Sequence, residues 1–265
     1  MGEIIAVANQ KGGVAKTTTV LNLAAALSRK GYKVLMVDAD SQGSLTIASG
    51  IKQADDLEVT LASKMYARAS DNSIDGEVKD AIMYIAERID LIPGNITTAP
   101  LETYLVNIIG RELLLRDILS EVRDEYDYIL IDCMPSLGMM TLNALVAADN
   151  VLIPVQAEYL SVKGLNQLLG AIKSVRGRLN RNLGIKGIVT TMLKTNTRYG
   201  KDIVSKVEEL YGNNIRVFEV QIPNTIRVAE ASIAGKSVIE YCPESKAAEA
   251  YLKLGEELIR DDKKQ

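Results

Sequence analysis

A three-layer α/β fold, with a mostly parallel twisted sheet flanked by helices, is the architecture this sequence predicts. Three observations carry it. Short aliphatic runs alternate with longer stretches of helical periodicity along the whole chain. The first run, Ile4–Ala8, leads through a glycine-rich turn straight into a helical pattern. The chain is 47% apolar yet has no Trp and one Phe, so its core is aliphatic, as suits Val, Ile and Leu strands covered on both faces.

The elements follow in order. Ile4–Ala8 is five apolar residues, a buried strand. Thr17–Arg29 has a helical pattern, running through Leu27. Lys33–Val37 is the second strand. A helix is expected over Asp56–Ala69, a turn over Asp71–Gly76, and a strand over Ile89–Ile92. Leu101–Ile108 and Arg111–Val122 repeat apolar residues at helical spacing. Tyr128–Ile131 is a strand, Leu137–Ala147 a helix, Asn150–Pro154 a strand and Val162–Gly177 a helix. Ile185–Thr191 and Arg216–Val220 read as strands, and Gly200–Tyr211 and Ser245–Arg260 as helices. No linker, composition break or internal repeat divides the chain, so residues 1–265 are expected to form a single domain.

Chemistry gathers where these strands end. Lys11-Gly12-Gly13-Val14-Ala15-Lys16-Thr17-Thr18 stands between the first strand and the first helix. Successive backbone N–H groups at a helix N-terminus can cradle phosphate oxygens. Lys16 can reach the β- and γ-phosphates, and the Thr17 hydroxyl can hold Mg²⁺. The usual pattern is G-x-x-x-x-G-K-S/T; here Gln10 and Ala15 stand at the glycine positions and a second lysine, Lys11, opens the loop. A plain strand-to-helix turn with two glycines is the alternative. The second strand runs into Asp38 and Asp40, and Tyr128–Ile131 runs into Asp132. Ligands of open parallel sheets collect at this carboxyl edge. Asp132 can bind Mg²⁺ directly or through water. The alternatives are a strand-end cap or loop hydrogen bond for Asp38 and a solvated loop carboxylate for Asp40.

These stretches resemble the ParA/Soj-type partition ATPases of the deviant Walker A group, which also holds MinD and the nitrogenase iron protein. The resemblance extends to Val37–Gly43, Ile131–Gly138, Thr141–Leu145, Pro154–Tyr159 and Ile222–Ala231. It implies a P-loop NTPase fold and an Mg²⁺-dependent ATPase that cleaves ATP to ADP and phosphate. Lys16 then resembles the phosphate lysine, and Lys11 the signature lysine that reaches the partner's nucleotide in an ATP-dependent homodimer. Gly12, Gly13, Val14 and Ala15 complete the cradle. Thr17 resembles the Mg²⁺ ligand and Thr18 an α-phosphate contact. Asp40 lies at the switch I position that orients water, Asp132 at the Walker B acid, and Cys133 to Gly138 at switch II. Pro223 and Asn224 lie where the adenine packs. Two departures stand out: the family usually has glycine at Ala15, and an arginine expected near Asn196 is instead Arg198.

The function implied is an ATP-driven dimerising switch for plasmid or chromosome partition, with slow hydrolysis and non-specific duplex DNA binding by the ATP-bound dimer. A ParB-like centromere-binding partner would accelerate its reset. One alternative is a ParA-like ATPase that positions another cargo. Another is a nucleotide-binding regulator or scaffold with little turnover. The net charge of −3 argues against a wholly basic nucleic-acid binder but leaves room for a local patch. Candidate cations are Lys173, Arg176, Arg178 and Arg181, then Lys194, Arg198 and Lys201, then Arg227 and Lys236, of which Arg227 and Arg198 lie nearest the DNA contacts the resemblance implies. No histidine is present, so imidazole chemistry is excluded, and two cysteines form no disulfide framework. Cys133 reads as a packed thiol. The nucleotide loop begins by Gln10, which resembles the short members without an operator-binding extension. No signal peptide or long apolar span is seen, and Leu258 and Ile259 make too small an apolar face for a membrane helix among their acidic neighbours. A cytoplasmic, nucleoid-associated protein is expected.

Overall fold

A computed structural model describes residues 1–70, 76–156, 162–193 and 198–262, with the side chains at 162–163, 198–204 and 261–262 outside the description. The strands are β1 (Glu3–Val7), β2 (Val34–Asp38), β3 (Met83–Ala86), β4 (Ile89–Ile92), β5 (Tyr128–Asp132), β6 (Asn150–Gln156), β7 (Gly184–Leu193) and β8 (Val217–Pro223). They form one sheet in the order β3-β4-β2-β5-β1-β6-β7-β8. Every pairing is parallel except that of β3 with β4. The helices are α1 (Lys16–Arg29), α2 (Ser44–Ala48), α3 (Leu61–Ala69), α4 (Thr98–Tyr104), α5 (Leu114–Ser120), α6 (Met139–Ala147), α7 (Val162–Arg178), α8 (Arg198–Tyr211), α9 (Ile226–Ile233), α10 (Val238–Tyr241) and α11 (Lys246–Asp262).

Alternation along the strands makes two cores. Ile4, Ala6, Leu35, Val37, Ile129 and Ile131 face one side, against Leu61, Leu101, Leu115, Met140, Leu165 and Val207 of α3 to α8. Ile5, Val7, Val34, Met36 and Leu130 face the other, against Val20 and Leu23 of α1, Leu45 of α2, Ala231 of α9, Val238 of α10 and Tyr251 of α11. The three central strands therefore carry apolar residues on both faces, as a covered parallel sheet requires.

The expected elements form, with shifted limits. The helix expected from Asp56 begins at Leu61, because Thr60 caps it reciprocally with Ser63; Ala54–Asp56 is a separate 3₁₀ turn. The helix expected over Leu101–Ile108 starts at Thr98 and tightens to 3₁₀ at Leu105–Asn107, and the one expected over Arg111–Val122 is confined to Leu114–Ser120. The short elements α2, β3, α9 and α10 add to the expected set. The turn expected over Asp71–Gly76 lies, except for Gly76, outside the described residues.

The sheet positions the site. β1, β2 and β5 are adjacent, and the register sets Asp132 beside both Val7 and Asp38. Residues 8–15, 39–43 and 133–138 therefore leave the sheet at one place, the carboxyl edge where ligands of such sheets bind.

Candidate active site

Between β1 and α1 the chain turns tightly. Ala15 is the residue before the helix and has left-handed backbone, φ 65° and ψ 33°. Its carbonyl oxygen accepts from the Thr19 N–H at 2.9 Å and from Thr19 Oγ1 at 2.7 Å, which fixes the peptide. Gly13 is also left-handed, with open space where a Cβ would stand. Glycine carries no penalty in that region, whereas a Cβ costs about 1–2 kcal/mol. Ala15→Gly should therefore raise stability by up to about 1 kcal/mol, after the unfolded chain's added freedom is subtracted. Thermal melting checks this, and an unchanged or lower midpoint would show that the alanine is accommodated without strain.

Lys16 is buried, and its Nζ donates to the Lys11 carbonyl oxygen at 3.3 Å. Burial lowers its pKa, against the opposing pull of Asp132, Cys133 and Asp40. The Thr17 hydroxyl donates to Asp132 Oδ2 at 2.6 Å. Asp132 is fully buried, and its Oδ1 has no hydrogen-bond partner. Burial, then the neighbouring Asp38, push its pKa well above the usual carboxylate range, while the Thr17 hydroxyl pulls it down. A hard cation answers this arrangement: Thr17 Oγ1 and the orphaned Asp132 oxygen are the hard donors that Mg²⁺ takes alongside phosphate oxygens. Among the described residues no group of three or more His, Cys, Asp or Glu could hold a metal ion.

The two acids after β2 separate in role. Asp38 is fully buried and accepts from Thr46 N–H at 2.8 Å, Thr46 Oγ1 at 2.7 Å and Asp40 N–H at 3.2 Å. Burial pushes its pKa up to about 6 against those donors. It is the strand-end cap, anchoring α2. Asp40 lines the pocket, and its Oδ1 accepts the Gln42 N–H at 3.0 Å. In the segment after β5, Cys133 is buried with its thiol pKa pushed up by burial, and Pro135 reaches the pocket wall. Glu102 of α4 accepts the Met140 N–H at 3.1 Å, tying that segment to its neighbour.

The pocket encloses about 420 Å³. One end is walled by the loop residues Gly12, Gly13, Ala15, Lys16, Thr17 and Thr18, where phosphates are expected, and the far end by Ile222, Pro223 and Asn224. Val14 faces inward instead, buried, with its carbonyl accepting from Thr191 Oγ1 at 3.0 Å. Lys11 is not in the wall; its Nζ donates to Gln156 Oε1 at 2.9 Å. Asn9 braces this corner, donating to the Pro154 carbonyl oxygen at 2.7 Å and accepting the Lys11 N–H at 3.0 Å. Sequence reasoning missed Ser44, Met192, Ser232 and Tyr251, all of them wall residues, while Thr225, Val228 and Ala229 of the wall lie in the stretch Ile222–Ala231 that carries the resemblance. Tyr251 sits at an apolar position of a helical repeat, which marks it only as core.

Arg227 begins the exposed face of α9 and pairs with Glu230 Oε2 at 2.8 Å. The Arg198 side chain, Lys194 and the Lys201 side chain lie outside the described residues. Arg176 is committed to the Leu183 carbonyl oxygen at 2.7 Å. Among the described residues no helix is long and apolar enough to cross a membrane.

Comparison with known proteins adds the following. A family model described as an AAA domain matches residues 2–185. The sporulation initiation inhibitor protein Soj of Bacillus subtilis is 43% identical over 259 residues, 97% of this chain and 98% of its own. The chromosome partitioning protein ParA of Myxococcus xanthus is 42% identical, covering 99% of this chain and 89% of its own. A Mycobacterium smegmatis structure described as cobyrinic acid a,c-diamide synthase, with bound ATP analog and magnesium, is 35% identical with a TM-score of 0.85, covering 99% of this chain and 96% of that one.

Proposed function

The chain belongs to the Soj/ParA/MinD-type partition ATPases with the deviant Walker A loop, and from that membership we propose that it is a switch whose ATP-bound form is a symmetric dimer held on duplex DNA. It is an ATP-binding P-loop ATPase that works with Mg²⁺. Residues 1–265 act as one unit in this reading. The observation that carries it is the position of Lys11, whose ammonium is held by Gln156, outside the wall of its own pocket. A cation so placed has a use opposite a second nucleotide.

The site residues then take these roles. Gly12, Gly13, Val14, Ala15 and Thr18 supply the phosphate cradle, and Lys16 neutralises the β- and γ-phosphates. Thr17 and Asp132 hold Mg²⁺, which supplies charge stabilisation to the phosphates when bound. Asp40 orients the attacking water. Pro223 and Asn224 pack the base. Lys11 of each protomer approaches the partner's γ-phosphate as the dimer closes, so ATP and assembly depend on each other. Hydrolysis and phosphate release remove that contact and dissolve the dimer. A centromere-binding protein of the ParB kind sets the timing, and the ATP-bound form resides on the nucleoid.

DNA contact is assigned to Arg227 and Arg198 of each protomer. Releasing Arg227 from Glu230 costs little, because an exposed ion pair is weakly held. Duplex binding should require ATP and fall steeply with salt. Arg227→Ala should weaken it for any sequence and, by symmetry, reduce the slope of log affinity against log salt by about 2. Fluorescence anisotropy across a salt series checks both. An unchanged slope removes Arg227 from the DNA face.

A further inference from the structure

Helix α9 stands between two parts of the molecule. Its inner residues Val228, Ala229 and Ser232 wall the nucleotide pocket beside Pro223 and Asn224. Its outer residues Ile226, Arg227 and Ile233 are exposed. Its C-terminal turn meets the C-terminal turn of α2, the short helix that follows Asp40. Both turns close in the same way. The Ile51 N–H donates to the Thr46 carbonyl oxygen and the Lys236 N–H to the Ala231 carbonyl oxygen, each across a left-handed glycine. Those glycines are Gly50, at φ +102°, and Gly235, at φ +69°.

The two glycines touch backbone to backbone. A Cβ on Gly235 would lie 2.5 Å from the Gly50 Cα, and one on Gly50 would lie 3.3 Å from the Gly235 carbonyl oxygen. No side chain stands between them to absorb a movement. α2 in turn follows Asp40–Gly43 directly in the chain and is held to the sheet end beside the pocket. Thr46 binds the Asp38 carboxylate through both its N–H and its hydroxyl, Thr46 Oγ1 also accepts the Gly94 N–H at 3.0 Å, and Ser44 shares the pocket wall with Asp40. Thr46 pins α2 to the sheet, so a shift of the Asp40–Gly43 segment reaches α2 along the chain at Ser44 and tilts it about Thr46, and α2 abuts α9.

We infer that the Gly50–Gly235 contact is the mechanical link through which the γ-phosphate sets the position of α9, and with it the presentation of Arg227. This rests on the ATP-switch reading above. ADP and ATP offer the same base to the inner face of α9. Within one protomer a difference between them at α9 therefore originates at the phosphate end, where Asp40 and α2 lie, and a glycine variant that keeps the dimer separates it from burial at the dimer seam. Packed elements pass such a shift on as a discrete rearrangement rather than a smooth one.

Amide hydrogen exchange of residues 226–236 in the full chain tests the link without DNA, comparing Mg²⁺–ADP with a non-hydrolysable ATP analogue. In the parent, exchange of these amides should differ by at least about threefold between the two nucleotides. Gly235→Ala should keep the protection that ADP confers and lose the difference, with sedimentation showing the analogue-bound dimer retained. Gly50→Ala, which makes the gentler contact, should reduce the difference in part and stands in if Gly235→Ala fails to fold. Gly31→Ala is the control: Gly31 is left-handed at φ +91° with nothing within 4 Å of an added Cβ, so it carries the backbone cost without the wedge and should keep the full difference. A parent with no difference at α9, or foldable glycine variants that keep it whole, would overturn the link. If the difference is present but Arg227→Ala binds DNA as the parent does, the assignment of DNA to this helix fails and the link stands.

Discussion

Asp40→Ala is expected to bind ATP at close to the parent affinity and to lose turnover on the order of a hundredfold or more. The expectation starts from the strand. β2 delivers two acids to the carboxyl edge, and the structure gives them different work. Asp38 is enclosed and spends both oxygens on Thr46 and the Asp40 N–H. Asp40 reaches the pocket wall, oriented by the Gln42 N–H. In the roles proposed above it is the acid that meets a water beside the γ-phosphate, while Thr17 and Asp132 hold Mg²⁺. Removing it should spare binding and remove the orientation of the nucleophile. Phosphate release and equilibrium nucleotide binding, measured side by side, separate those effects. Turnover at the parent rate would reject the role. Asp132→Ala should behave differently, losing the Mg²⁺ dependence of ATP binding, because its Oδ1 is unpartnered and its Oδ2 accepts the Thr17 hydroxyl.

Lys11→Ala is expected to bind nucleotide as a monomer and to assemble poorly. Lys11 adds nothing to the wall of its own pocket, so the first binding step should change little. In the closed dimer a cation buried against a phosphate is a charged contact whose removal costs about 2–5 kcal/mol. That corresponds to a loss of at least about thirtyfold in dimer affinity, and symmetry imposes it twice. Turnover should fall with assembly, by on the order of a thousandfold, since the lysine supplies positive charge to the transferring phosphoryl group in the manner of a residue given in trans. A mixture of Lys11→Ala and Asp40→Ala chains should recover part of the lost activity. The mixed dimer contains one site with its own Asp40 and a partner's Lys11. A mixture no more active than the sum of its parts would argue that Lys11 acts within its own chain.

Much of this was legible in the sequence because the chemistry sits where strands stop. A buried strand declares itself by composition, and an acid or a glycine-rich turn at its end is conspicuous against it. Lys16, Thr17, Asp40 and Asp132 are all of that kind, and the structure brings the four to one pocket corner. Pro223 ends β8 and Asn224 follows it, but only the resemblance, not a strand-end pattern, points to them. Elements shorter than a helical repeat were not legible. α2 has five residues and α10 four, too few for a periodic signal, and α9 emerges only from Thr225 capping the Arg227 N–H. β3 is a short antiparallel edge with an exposed Tyr84, and it lacks the apolar run of the central strands. Tyr251 and Ser232 reach the pocket through packing of α11 and α9 far along the chain, which spacing does not encode. The conformation of Ala15 was also beyond the sequence. A residue type does not fix the sign of φ, and only the turn geometry at the start of α1 makes the alanine an exception.

The central claim is that ATP assembles this chain into a dimer and that hydrolysis releases it. Analytical sedimentation of the Asp40→Ala chain at micromolar concentration, with Mg²⁺ and saturating nucleotide, tests it most directly. The account predicts twice the chain mass with ATP and a single chain mass with ADP. A single chain mass with both nucleotides would contradict it.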